Sequence, residues 1–183
     1  MILPALVLVA LSTGIPDYVP ATKHMNDADL AKKKTGVFLT ALPSLSADPI
    51  NGFGGVVDAF LYANGDREDR LFAYTPYRAK LGLHLQYTTR DTARAQLSLD
   101  TPYLYESPWR MKLDLKFKND PNRAFYGLTE ATLDPLVSAS DPNHFRFKER
   151  EVMSNAKFDR AIFDGNTRVM MGYELQHLAF DTY

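Results

Sequence analysis

The chain has 183 residues, a formal net charge of −1 and no cysteine. Its length suits one domain with a sizeable core, and its balanced charge gives no global pull toward nucleic acid or anionic surfaces. The missing cysteine excludes a disulfide framework, thiolate zinc sites and a cysteine nucleophile.

The one long apolar run is Ile2–Ser12, "ILPALVLVALS". It is shorter than the ~20 residues a membrane-crossing helix needs. At an N-terminus that length suits the apolar part of a secretory signal, and "VPA" at Val19–Ala21 offers small residues for cleavage. Residues 1–21 are therefore predicted to be a signal peptide, although no Lys or Arg precedes the run. Residues 22–34 read as a polar linker, with the lysine run Lys32–Lys34 in solvent.

From Thr35 onward the sequence predicts strands and no helix. "TGVFLTALP" is a first strand with both faces covered, followed by a turn at Ser46–Asn51. Gly52–Gly65 forms the second strand. Gly52, Gly54 and Gly55 mark a bend or a close backbone approach, because glycine weakens a strand interior. "REDRLFAYTPY" is a connection of mixed polarity. In "RAKLGLHLQYTT", Leu81, Leu83, Leu85 and Tyr87 alternate with Lys80, Gly82, His84 and Gln86. In "ARAQLSLDTPYL", Ala93, Ala95, Leu97 and Leu99 oppose Arg94, Gln96, Ser98 and Asp100. "SPWRMKLDLKFK" alternates most cleanly, with Trp109, Met111, Leu113, Leu115 and Phe117 against Arg110, Lys112, Asp114, Lys116 and Lys118. A period of two places these sets on opposite faces of a strand. After "KNDPNRAFYGL" comes an irregular stretch, then strands at Phe145–Phe163 and Thr167–Phe180, making seven in all.

Ten alternating residues on a strand tilted by ~40° span roughly 25 Å, the apolar band of an outer-membrane barrel, whereas strands of soluble sandwiches average five or six residues. Aromatics gather near strand ends, as in interfacial girdles. The reading is an all-β, antiparallel up-and-down transmembrane barrel. Leu81, Leu83, Leu85, Leu97, Leu99, Trp109, Met111, Leu113, Leu115 and Phe117 face lipid. The competing reading is a soluble periplasmic β-sandwich or lipocalin-like binder of an apolar ligand.

Bond chemistry finds little support. The chain has four histidines, none at a metal-ligand spacing such as H-E-x-x-H. No G-x-S-x-G elbow occurs. His84 with Ser98 or Asp100 on the next strand is the only conceivable hydrolase pairing. No catalytic, cofactor or metal site is expected. The basic stripe Arg110, Lys112, Lys116 and Lys118 reads as a lumen wall, or more sharply as a surface attracting acidic lipid headgroups or substrate segments.

Several phrases carry a family resemblance: an "LP" first strand before a glycine-rich turn, "FAYTPYR", "DTPYLYESPWR" (Asp100–Arg110) and "N-x-x-x-FYG". Across Thr35–Leu128 the chain resembles the opening barrel strands of the BamA/TamA-like outer-membrane proteins, the bacterial surface antigen family. The resemblance implies an outer membrane of a Gram-negative bacterium, lipid as a partner, and assistance in inserting or transporting client proteins. It also implies an edge strand for client pairing at Val37, Phe38, Leu39, Thr40, Ala41 and Leu42, limited by Pro43, which lacks a donor. Complete members resemble sixteen-stranded barrels preceded by POTRA domains. Residues 35–183 are accordingly expected to be a partial barrel of about seven strands. The family's "RGF"-type loop motif has no counterpart here.

Overall fold

In a computed structural model, the described residues are 16–124, 146–162 and 167–182. They build one antiparallel sheet of seven strands in the order β1-β2-β3-β4-β5-β6-β7, which does not close on itself. The strands are β1 (Val37–Asp48), β2 (Gly52–Ala63), β3 (Ala79–Thr88), β4 (Ala93–Thr101), β5 (Trp109–Ala124), β6 (Arg146–Ile162) and β7 (Thr167–Thr182). Each pairs antiparallel with its sequence neighbour, so the topology is up-and-down throughout.

Register fixes the faces, because directly opposed residues share a side of the sheet. Leu83 lies opposite Ala59 and Leu97, and Leu97 opposite Leu115. Leu115 in turn lies opposite Ser154, which faces Leu175 on β7. One face therefore carries the apolar series from every strand. The other carries Asp58, His84, Gln96, Lys116, Met153 and Gln176 along a single row.

Burial runs opposite to that of a water-soluble fold. Leu39, Leu83, Leu97, Leu115 and Leu175 are exposed at 66%, 37%, 40%, 52% and 68%, while Lys118, Asp120, Glu149, Glu151, Asn155 and Asp159 are all buried. A single sheet whose polar face is crowded and whose apolar face is open must curl toward the polar side. No second sheet covers the apolar face among the described residues.

The dry core lies elsewhere. Val19, Leu71 and Phe72 are buried, and all three sit beyond the end of the sheet marked by Val37, Ala63, Ala79 and Thr101. They belong to a cap built from the segment 16–34, the β2–β3 connection 64–78 and the β4–β5 connection 102–108.

Two expectations are corrected. The segment 22–34 is no free linker: it holds a short helix, α1 (Asp27–Lys32), whose N-cap Asn26 accepts from the Asp29 amide at 2.8 Å. Lys33 is buried, because its ammonium reaches across to carbonyls of the 64–78 connection. Residues 1–15 of the predicted signal peptide lie outside the described residues, and Tyr18 and Val19 pack into the cap. Strand β5 runs through Asn119–Ala124, with Pro121 at a bulge between Asp120 and Arg123. The irregular stretch from Tyr126 to His144 lies outside the described residues.

The glycine cluster splits by role. Gly52 takes φ +80° at the β1–β2 turn, and a Cβ on Gly54 would come within 2.5 Å of the Tyr87 carbonyl, the close approach the sequence suggested.

Candidate functional site: an apolar face, an open edge and a cap

All ten residues expected to face lipid share the apolar face: Leu81, Leu83 and Leu85 on β3, Leu97 and Leu99 on β4, and Trp109, Met111, Leu113, Leu115 and Phe117 on β5. Polar groups bound this face. At one margin the Arg160 guanidinium lies over the Trp109 ring, 5.9 Å from its centroid. At the other, Arg150 and Asp181 form an ion pair at 2.5 Å. Between Trp109 and Asn119 the apolar face runs about ten steps of ~3.3 Å along β5.

The polar face is knitted by pairs that sequence reading did not identify. Lys118 bonds Glu149 at 2.8 Å and lies 3.6 Å from Asp120, and Arg123 bonds the same Glu149 at 2.6 Å. Lys116 reaches Glu151 at 3.0 Å, and Gln176 donates to that carboxylate at 3.0 Å. Asn155 donates to Glu174 at 2.9 Å. Arg110 grips Asp100 with two bonds of 2.9 and 2.5 Å. Three of the four cations in the basic stripe, Arg110, Lys116 and Lys118, are thus paired within the sheet.

The hydrolase pairing is not assembled either. Ser98 lies opposite Gly82 and Asp100 opposite Lys80, whereas His84 Nδ1 meets Asp58 on the other neighbouring strand at 2.8 Å. Of the remaining histidines, His24 packs edge-on against Tyr74, His177 lies on the apolar face opposite Val152, and His144 lies outside the described residues.

The residues named for the edge strand lie on β1, which is terminal in the strand order. Val37, Leu39 and Ala41 belong to the apolar face, while Phe38, Thr40 and Leu42 belong to the polar one. Strand β1 pairs only with β2 among the described strands, leaving its outer side open. From Val37 to Ala47 it carries no charge.

The cap closes the Val37 end of the polar side. The Lys33 ammonium donates to the carbonyls of Phe72 and Thr75 at 2.5 and 2.6 Å and sits 4.1 Å from the Phe72 ring centroid. Burial pushes its pKa down, with the Asp69 charge opposing. The Met25 amide donates to the Ala73 carbonyl at 2.8 Å, and Asn64 donates to the Lys34 carbonyl at 2.7 Å. Tyr18 donates to the Glu106 carbonyl, while the Glu106 carboxylate takes Arg78 at 3.1 Å and Arg70 at 3.4 Å. Tyr77 donates to Asp100 at 3.0 Å. Burial first, then that bond and the Asp100 charge, push its pKa up to about 12. Fully burying side chains such as Leu71 and Phe72 contributes ~1.5–3 kcal/mol each. One sequence signal existed for this cap, since Leu71–Phe72 is an apolar pair directly after the charged run Asp66–Arg70.

Beneath the cap is a cavity of about 350 Å³, lined by Tyr18, Lys23, Tyr74, Tyr77, Tyr103 and Arg110 among others. Its floor cations are already engaged, Arg110 by Asp100 and Arg168 by Asp159 at 3.2 Å.

A family model described as a domain of unknown function (DUF5982) matches residues 15–78. That stretch runs unbroken through the 16–34 segment, β1, β2 and the 64–78 connection, two of the three pieces of the cap. No curated protein and no solved structure matches the chain.

Proposed function

We propose that this chain is part of an outer-membrane β-barrel, with its apolar face toward lipid and its polar face toward a wet lumen. Its work, as the resemblance to BamA/TamA-like proteins implies, is to assist insertion or transport of proteins. The observation that carries the reading is the inverted burial, with leucines open on one face and ion-paired Lys118, Glu149 and Glu151 enclosed on the other. Hydrocarbon favours such a face, and water does not. A soluble sandwich or lipocalin-like binder needs its alternating apolar side chains covered, and among the described residues no second sheet covers them.

No bond chemistry is involved in this mechanism. A client strand adds to the open side of β1 through backbone hydrogen bonds, with apolar contacts alongside. The cap holds the Val37 end of that strand through Gly36, whose carbonyl accepts from Asn64 at 2.9 Å, so the edge is presented on a fixed frame. Fractionation of expressing cells tests the placement. The chain should sediment with outer membranes and need detergent for extraction, and release by osmotic shock in soluble form would refute it.

A further inference from the structure

We infer that Pro43 divides the open side of β1 into a strong and a weak segment for an incoming strand, and so limits how much of a client the edge can hold. This rests on the strand-accepting reading above and refines it.

Residues along a strand turn their N–H and C=O alternately to either side. Gly36 bonds toward β2, accepting from the Asn64 amide and donating to the Gly65 carbonyl, both at 2.9 Å. Even-numbered residues of β1 therefore face β2. The next ladder agrees: the Thr89 amide donates to the Phe53 carbonyl at 2.7 Å, so odd residues of β2 face β3 and even ones face β1. The backbone groups of Val37, Leu39, Ala41, Pro43, Leu45 and Ala47 consequently point to the open side, with their side chains on the apolar face.

Pro43 has no N–H to offer. Before it, Val37, Leu39 and Ala41 present an unbroken run of donors and acceptors. Beyond it only Leu45 and Ala47 remain, and a client carbonyl opposite Pro43 finds no donor. Edge strands are commonly guarded by charges or proline. With no charge between Val37 and Ala47, the proline is the guard on this edge.

The occupant is an extended, uncharged strand of another polypeptide, antiparallel to β1, with apolar residues beside Val37, Leu39 and Ala41. A second copy fits poorly. In this seven-stranded up-and-down order β1 and β7 run the same way, so copies inserted in one orientation meet edge to edge only in parallel.

The absence of cysteine makes the test direct. Leu39→Cys, Ala41→Cys, Leu45→Cys and Ala47→Cys variants of the full chain in lipid vesicles are offered a synthetic peptide. It alternates apolar and small polar residues and bears one cysteine on its apolar side, and disulfide yield is measured. Positions 39 and 41 should trap severalfold more than 45 and 47. Adding Pro43→Ala should raise 45 and 47 about threefold to tenfold, the worth of one net hydrogen bond, and leave 39 and 41 unchanged. Ser44→Pro, which removes a donor facing β2, should give no such gain. Equal trapping at all four sites, unmoved by Pro43→Ala, overturns the inference but leaves β1 as a client edge. No trapping at any site overturns the edge itself, and cross-links between two copies in place of the peptide overturn the choice of partner.

Discussion

Leu83→Arg probes the lipid-facing assignment at its centre. Leu83 sits midway along β3 on the apolar face, between Ala59 and Leu97. In a barrel wall that is the bilayer midplane, where an arginine costs about 2–4 kcal/mol, falling to about 0–1 kcal/mol near the interface. Leu45 supplies the internal control. It lies on the same face opposite Gly55, which is level with Tyr87, about four residues or ~13 Å along the strand from Leu83. Leu45→Arg should therefore cost no more than about 1 kcal/mol. In water both substitutions would fall within about ±0.5 kcal/mol, since neither leucine has a packed partner layer. Denaturant unfolding from lipid vesicles reads the difference, and Trp109, the single tryptophan, reports it from the margin of the apolar face. Equal costs at the two positions would show that depth in a bilayer has no part in this fold.

Three further outcomes follow from the polar face and the cap. Lys118→Met takes one of two cations from buried Glu149, leaving it Arg123, and removes the ammonium 3.6 Å from Asp120, so it should cost about 1–3 kcal/mol in unfolding free energy, part of it regained when Asp120→Asn is added. Lys33→Met keeps the stem but deprives the Phe72 and Thr75 carbonyls of their donor. It should loosen the cap by about 1–3 kcal/mol, read as lost hydrogen-exchange protection of the Met25 amide. Tyr77, with its pKa raised from 10.0 to about 12, stabilises the docked 64–78 connection in its protonated form. That contribution is complete below pH 10 and is lost as pH rises through 12. Ultraviolet titration should show a tyrosine ionising at about pH 12 that is absent in Tyr77→Phe.

The strands were legible because their signal is local. Strict alternation around Leu81–Tyr87 or Trp109–Lys118 needs only a period of two, and neighbouring hairpins then fix the register. The cap was not legible, because it depends on contacts between segments distant in the chain. Nothing near Lys33 tells that its ammonium will meet carbonyls at 72 and 75, and a lysine run in isolation reads as solvated. Asn119–Asp120–Pro121–Asn122 has turn composition, yet β6 pairs with β5 on both sides of it, and the register shift between Asp120 and Arg123 accommodates the proline. His84 was correctly placed on the polar face, yet its partner was sought on β4 when Asp58 on β2 takes it. Alternation gives the face of a residue, and only the three-dimensional arrangement decides which neighbour on that face it meets.

The central claim is that the apolar face contacts hydrocarbon while the polar face contacts water. Spin labels on single cysteines at positions 83, 97 and 115, and at 84, 96 and 116, test it in one experiment on the protein in vesicles. Collision with dissolved oxygen should dominate at the first three, and collision with a water-soluble paramagnetic complex at the second three. Water-soluble collisions at both sets would contradict the account.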